Sequence, residues 1–381
     1  MDTWHSLKKT IMGSLGNGLL KLLTGPVGTG KTYFLYHDLF NELSTNATYR
    51  VLEIRKSMNE HPVSLLSRLK KDHVGHTIVL IDDIFAYDHP ESVFDVCSGR
   101  SDVDIIATSD LQPSFAMGKE ETLIRGRYQN IPFLPVLLPD SLDLGLAKTH
   151  EEYLERGGLF IPVNECLDRS IEEGRKIKRF RGEYQKNVQT VFHATLNYCD
   201  MPISYRELND ELKVGASRNT IVSYLDFLEG ASLLHIIPRE NARNERTNGH
   251  QFVLYPMDVG FKGEKRNRVV EDKTMILSKL VEESYRVSSG YVYGKFGGAF
   301  QALDVAFILR KGRDKIYLSY GGSDGSKEAE VMARFLKDSY LKIVVVPIEI
   351  APWKDGSGIL HMGLEYFLRT GLSEWAGGQE D

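Results

Sequence analysis

Short, nearly continuous apolar runs mark the first part of the chain: Gly18-Leu19-Leu20-Lys21-Leu22-Leu23-Thr24, Thr77-Ile78-Val79-Leu80-Ile81, and Ile105-Ile106-Ala107 inside the segment 104–110. Runs of this kind read as strands buried on both faces, as in the parallel sheet of an α/β domain. A helical pattern from Lys31 to Leu43 follows the first run. The middle of the chain changes period. Val188 to Tyr198 reads as an apolar helix, Ser204 to Leu212 as a second that opens on the capping box Ser204-Tyr205-Arg206-Glu207, and Ser217 to Leu228 as a third after a turn at Gly215-Ala216. Two β runs, Leu233 to Ile237 and Gln251 to Tyr255, complete a winged helix-turn-helix pattern. The last third reads as a helix (274–286), a strand (291–295), a hairpin (303–310 and 315–320, turned by Lys311-Gly312-Arg313-Asp314), a helix (328–340) and a strand (342–350).

The segment between the first run and the first helix carries chemistry. Gly25-Pro26-Val27-Gly28-Thr29-Gly30-Lys31-Thr32 is the pattern G-x-x-x-x-G-K-[ST]. Its glycines let successive backbone N–H groups surround a β-phosphate, Lys31 supplies charge to the β- and γ-phosphates, Thr32 offers a hydroxyl to Mg²⁺, and the helix N-terminus faces the anion. Strand before and helix after is the context this motif requires. The sequence therefore predicts a P-loop NTPase sheet with ATP and Mg²⁺ as ligands.

Such a site needs a second element, an apolar strand that ends in acids, and Thr77–Asp83 has that form. Asp82 is expected to hold Mg²⁺ through water and Asp83 to orient or deprotonate the attacking water. Asp83 stands where ATPases of this class usually carry Glu, and its shorter side chain implies either slower hydrolysis or binding in preference to turnover. Thr108 and Ser109, at the end of the next strand, are candidates for sensing the γ-phosphate. Arg125 or Arg127, in Leu123-Ile124-Arg125-Gly126-Arg127-Tyr128, is a candidate to stabilise developing charge on that phosphate, in its own subunit or a neighbour's.

These motifs, the Leu-Pro-rich run Ile131–Leu138 and Glu151-Glu152-Tyr153-Leu154-Glu155-Arg156-Gly157-Gly158 together resemble the prokaryotic AAA-type ATPases of the DUF4143 family, most closely before about Tyr285. The resemblance implies an ATPase domain (1–150), a helical lid or linker (151–185), a winged-helix domain (186–258) and a restriction-nuclease-like α/β domain (259–381).

With 381 residues the chain has room for two or three cores, and 42% hydrophobic and 26% charged content are ordinary for a water-exposed fold. No run reaches the length of a membrane span, the N-terminus does not read as a signal peptide, and Cys97, Cys166 and Cys199 are few and far apart. Free thiols and a cytoplasmic location follow as expectations. His73 and His76 have the spacing of one helix face but no partner ligands, so they read as surface residues. Gly371–Asp381 reads as a disordered tail.

From Arg175 to Arg268 there are 16 Lys or Arg against 11 Asp or Glu, a local charge of +5 in a chain of −5. Arg218, Asn219, Thr220 and Tyr224 are expected on the open face of a recognition helix, with Arg239, Arg243, Arg246 and the 175–181 run on duplex DNA phosphates. The order of elements in the last third is similar to the restriction-type nuclease core. Asp304 fits its first acidic position, but Ile316-Tyr317-Leu318-Ser319-Tyr320 lacks the Glu-x-Lys needed on the next strand, so the expectation is a scaffold or partner-binding domain without nuclease activity. Two functional readings follow: an ATP-driven switch that couples nucleotide state to DNA or a protein partner, as monomer or homo-oligomer, or a nucleotide-stabilised scaffold or regulator with little turnover.

Overall fold

The computed structural model describes residues 4–376 except 56–60, 68–74, 99, 177–183, 213–216, 244–246, 297 and 323. The chain forms two compact units, each assembled from separated stretches. The first takes Met1–Val136, Leu159–Val188 and Leu225–Leu233; the second takes Leu137–Gly158, Gln189–Tyr224 and Leu234–Asp381.

In the first unit, β1 (Leu20–Thr24), β2 (Tyr49–Ile54), β3 (His76–Ile81), β4 (Val103–Ser109) and β5 (Tyr128–Pro132) form a sheet in the order β2-β3-β4-β1-β5, with every pairing parallel. The apolar runs are continuous because both faces are covered. Side chains alternate across a strand, so Val79 and Ile81 enter one core with Leu20, Leu22 and Ile105, while Ile78 and Leu80 enter the other with Leu23, Ile106 and Phe34. Lys21 interrupts this pattern, fully buried at 0% exposure, and is paired with the buried Asp104. Asp104 also bonds His76 Nε2 at 2.5 Å and accepts the Gly16 amide at 2.7 Å. His76 therefore belongs to the opening of a strand, where its partner fixes it, and not to a helix face; His73 lies outside the described residues. The helix after the loop runs through Lys31–Tyr33 and Phe40–Ser44 with a π-helical segment, Phe34–Leu39, between them.

In the second unit, β6 (Ile203–Ser204), β7 (Leu234–Asn241), β8 (Thr247–Pro256), β9 (Arg286–Phe296), β10 (Ala299–Lys311), β11 (Asp314–Tyr320), β12 (Leu341–Val346), β13 (Trp353–Lys354) and β14 (Leu360–Gly363) make one sheet, ordered β13-β14-β12-β11-β10-β9-β7-β8-β6. The expected boundary at 258/259 falls within this sheet. The hairpin β7–β8 is not left as a free wing, because the other edge of β7 pairs in parallel with β9 at Arg239↔Ser289 and Glu240↔Gly290. Backbone groups on that edge are thus satisfied by the segment expected to form a separate domain. The capping box is as expected: Glu207 N donates to Ser204 Oγ at 3.2 Å and Ser204 N to the Glu207 carboxylate at 2.8 Å.

The expected disordered tail is folded in its first half. Leu372 is fully buried, its amide donates to the Glu283 carboxylate at 3.0 Å, and Ser373–Ala376 is helical; residues 377–381 lie outside the described set. Among the described residues no helix is long and apolar enough to cross a membrane, and Cys166 and Cys199 are buried free thiols.

Candidate functional site

The loop predicted to cradle phosphate leaves the C-terminal end of β1. Gly25 N donates to Ser109 O at 3.3 Å and Phe133 N to Thr24 O at 2.7 Å, so the loop starts between the ends of β4 and β5. A β-carbon on Gly25 would lie 1.9 Å from the Phe133 carbonyl oxygen, which only glycine avoids. Gly30, at φ 90°, turns the chain into the helix that begins at Lys31. Pro26, Val27, Gly28 and Thr29 form the bend between them; Thr29 Oγ1 donates to Pro26 O at 3.0 Å, a contact internal to the loop. Lys31 is 5% exposed, and its ammonium donates to Gly25 O and Pro26 O at 2.8 Å each and pairs with Asp110 Oδ1 at 2.8 Å.

Beside Lys31 a polar chain crosses from helix to sheet. Thr32 Oγ1 lies 3.1 and 3.3 Å from the two Asp82 carboxylate oxygens, and Thr108 Oγ1 donates to Asp82 Oδ1 at 2.6 Å while accepting the Asp83 amide at 2.9 Å. The order of strands explains the meeting, since β4 lies between β1 and β3 and carries Thr108 into the gap between loop and acids. Asp83 has φ 52° and ψ 65°, a left-handed turn that Asp adopts more readily than most residues and that swings the second carboxylate out of the β3 direction. Oxygen donors from Thr32 and Asp82, near a buried ammonium, suit a hard divalent ion bound with phosphate.

Three sequence expectations change here. Ser109 is 1% exposed, donates to Leu111 O at 2.7 Å and accepts the Leu111 amide at 3.0 Å; it closes a turn and does not face the loop's ligand side. Arg127 stands at the opposite end of the sheet from the loop of its own chain: Leu20 N, at the start of β1, donates to Arg127 O, and four strand steps of ~3.3 Å place Thr24 about 13 Å farther along. Its guanidinium pairs with Asp95, and Arg125, 74% exposed, sits 3.6 Å from Glu121. Neither arginine is placed to reach a phosphate in its own subunit. Asp110, by contrast, was missed by the sequence reading although it directly follows the Thr108-Ser109 pair.

Aromatic rings close around the loop's outer side. Trp4 has ring centroids 6.3 Å from Tyr33, 5.9 Å from Phe133 and 6.4 Å from Phe160, and Phe160 N donates to Gly28 O at 2.8 Å. Tyr33 and Phe160 are 57% and 41% exposed, an open apolar surface beside the phosphate loop.

The second unit carries the other candidates. Tyr224 is 2% exposed and belongs to a core, not to an open recognition face; Asn219 is exposed and Thr220 partly so. Arg239 is buried, donates to Asp304 Oδ1 at 2.6 Å and lies over the Tyr291 ring, so it does not extend to phosphates. Arg243 is exposed, with Nε donating to Phe335 O at 3.0 Å. Arg246 and the side chain of Arg218 lie outside what the structure describes. Asp304, 65% exposed on β10, has Arg239 as its partner and stands opposite Tyr291 of β9, while the pairing of β10 with β11 runs from Phe307↔Leu318 to Lys311↔Asp314.

Two buried groups of the second unit are perturbed by their surroundings. Asp258 accepts the Gly158 and Gly260 amides at 2.7 Å each, so the Gly157-Gly158 motif serves to seat a carboxylate. Burial pushes its pKa up to about 6 in spite of those amides. His235, whose Nε2 is sealed from solvent without a partner among the described residues, is held down to about 4 by desolvation.

No family model matches the sequence, and no curated protein matches it. Solved structures that align with it include Cdc6p from Pyrobaculum aerophilum (13% identity, 71% of this chain, 93% of that chain, TM-score 0.30) and the Walker-type ATPase PABY2304 of Pyrococcus abyssi (12%, 68%, 94%, 0.41). AMPPCP-bound DnaA from Aquifex aeolicus aligns at 13% identity over 60% of this chain and 88% of its own, with a TM-score of 0.29. The α/β assignment of the first unit rests on its own parallel sheet and strand order.

Proposed function

We propose that this chain is an ATP-binding, ATP-hydrolysing switch of the AAA type whose nucleotide state is read by a DNA or protein partner. The observation that carries the reading is the meeting of Lys31, Thr32, Asp82 and Thr108 around the phosphate loop. Lys31 and the loop amides would hold the β- and γ-phosphates, and Thr32 and Asp82 would hold Mg²⁺, which supplies charge neutralisation on the phosphates. Asp83 is the group that orients the attacking water, and the open rings of Tyr33 and Phe160 offer the base a stacking surface. The resemblance of these motifs to those of the DUF4143 ATPases supports the same reading.

A physical link supports the switch. Asp110, which holds Lys31, lies two residues before Gln112, whose amide donates to Gly230 O at 2.6 Å; Phe115 packs on Phe227 with ring centroids 5.5 Å apart. Gly230 ends the helix Arg218–Gly230, which begins with the Arg218-Asn219-Thr220 candidates for DNA contact. In this reading a change in the Lys31–Asp110 pair would be passed through these contacts to the Gly230 end of that helix.

The test is purified protein with ATP and Mg²⁺, with and without duplex DNA, read by calorimetry and phosphate release. ATP binding with turnover that DNA stimulates supports the switch; absence of ATP binding sinks it. The scaffold reading is favoured by one observation, the short Asp83 carboxylate set in a left-handed turn. ATP bound without turnover in any partner's presence would select it. DNA contact through the basic middle requires binding that weakens steeply with salt, and a flat anisotropy titration at low salt would assign the partner role to protein.

A further inference from the structure

Arg55 stands on the same rim of the first unit's sheet as the phosphate loop. Strand β2 pairs in parallel with β3, and the register ends at Ile54↔Ile81, so Arg55 and Asp82 leave neighbouring strands side by side, about 4.8 Å apart. Both lie on one face. Tyr49 and Val51 of β2 and Ile78 and Leu80 of β3 pack in the core with Phe34, Leu35 and Tyr36, and steps of two residues carry that face to Glu53 and Arg55 on one strand and to Asp82 on the other. It is the face on which Thr32 meets Asp82.

Tyr36 joins these groups. It follows Thr32 by one turn of the same helix, its hydroxyl donates to Ile54 O at 2.8 Å, and the Arg55 guanidinium lies 4.4 Å from the centre of its ring. Burial, and after it the Asp82 carboxylate, raises the Tyr36 pKa above the ordinary phenol value, so that carboxylate acts on the hydroxyl at short range. Thr32, Asp82, Tyr36 and Arg55 thus follow one another across a single surface.

The acid that holds Arg55 is local and replaceable. Glu53 belongs to the same strand, and one of its oxygens, Oε2, takes both Nη2 at 2.7 Å and Nε at 2.8 Å. The Arg55 side chain is 47% exposed, so the pair is screened by water and yields to a phosphate that offers two oxygens to one guanidinium. Arg125 and Arg127 do not reach the loop of their own chain, which leaves the terminal phosphate in need of a cation from this subunit.

We infer that Arg55 is a catalytic residue acting in its own subunit: when ATP binds, its guanidinium exchanges Glu53 for oxygens of the γ-phosphate and stabilises the negative charge that develops during hydrolysis. In that step the water oxygen bonds to the γ-phosphorus and its proton goes to Asp83, while the bond to the bridging oxygen breaks and its electron pair stays on ADP. Arg55 neither gains nor loses a proton. The inference rests on the ATP reading above, and its test separates the two.

ADP and the non-hydrolysable analogue AMPPCP, each with Mg²⁺, are titrated by calorimetry, and phosphate release from ATP is followed in parallel. Arg55→Ala should weaken AMPPCP about tenfold and leave ADP within about twofold, because only the γ-phosphate contact is lost. Phosphate release should fall about a hundredfold or more, the scale of an arginine on a transferring phosphoryl group. Unchanged ADP affinity shows that the fold survives. Glu53→Gln removes the competing carboxylate and should tighten AMPPCP about threefold without changing ADP, an arm that stands even if Arg55→Ala fails to fold. A mixture of Arg55→Ala with Lys31→Ala should recover no phosphate release, since loop and arginine must belong to one copy.

Equal weakening of AMPPCP and ADP in Arg55→Ala, or a preference for AMPPCP over ADP that both substitutions leave untouched, would confine Arg55 to covering the Tyr36 ring and overturn the inference while the ATP reading stands. Recovery in the mixture would overturn the assignment to the same subunit. A parent that binds neither nucleotide would remove the ATP reading and this inference together.

Discussion

Lys31 Nζ lies 2.8 Å from Asp110 Oδ1, so the lysine of the phosphate loop is held by the residue that directly follows β4. To reach a phosphate it must exchange that carboxylate for the new anion. Lys31→Ala should therefore abolish tight ATP binding, because it deletes a buried charge-assisted contact. Asp110→Asn should instead tighten ATP roughly threefold, the scale set by a partly exposed ion pair. Calorimetry on the two variants checks both signs, and ATP affinity unchanged in Lys31→Ala would remove the loop from the account.

Asp83→Asn should keep ATP bound and stop turnover, since the binding contacts belong to Lys31, Thr32 and Asp82 while the second carboxylate serves the water. Thr108→Val cuts both the bond to Asp82 and the one from the Asp83 amide. It should lower the rate of phosphate release by about tenfold or more with a smaller change in ATP affinity, the pattern of a group that positions others. Equal loss of binding and turnover in Thr108→Val would mean that it only holds the sheet together.

The position of Arg127 at the far end of its own sheet makes a prediction about assembly. If Arg125 or Arg127 acts on the γ-phosphate, a neighbouring copy must supply it. The double variant Arg125→Ala/Arg127→Ala and the variant Lys31→Ala should each be inactive alone, yet regain part of the phosphate release when mixed, because one contributes intact loops and the other intact arginines. Full activity in the arginine variant alone would assign the arginines to the surface.

Two buried groups set opposite pH slopes on stability. His235 has a folded pKa of about 4, below the ordinary 6.5 of histidine, so the unfolded chain binds the proton first and stability falls as pH drops from 6.5 toward 4. Asp258 has a folded pKa of about 6, above 3.8, so its contribution is present below 3.8 and is lost as pH rises through 6. Each shift corresponds to roughly 3 kcal/mol at full extent, and the two oppose each other between them. Relative to the parent, Asp258→Asn should gain thermal midpoint from pH 4 to pH 7, whereas His235→Gln should lose its advantage over that interval. Parallel curves for parent and Asp258→Asn would place the carboxylate in water.

The sequence by itself determined the chemistry that lies close together along the chain. Gly25 through Thr32 are eight consecutive residues, and the alternation of Ile78, Val79, Leu80 and Ile81 into two cores follows from an unbroken apolar run. The pairing of Ser204 with Glu207 was equally legible, since a capping box spans one helical turn. Only the tertiary structure decided what distant segments do to one another. Tyr224 turned inward and Arg239 turned to Asp304 because packing and pairing partners, which no local period specifies, claimed them. The hairpin β7–β8 joined β9 for the same reason: a strand's pattern shows that its edges need partners, and only the assembled sheet shows which partners they find. Asp110 met Lys31, and Arg127 was carried to the far end of the sheet, because strand order and strand direction fix which ends share a rim.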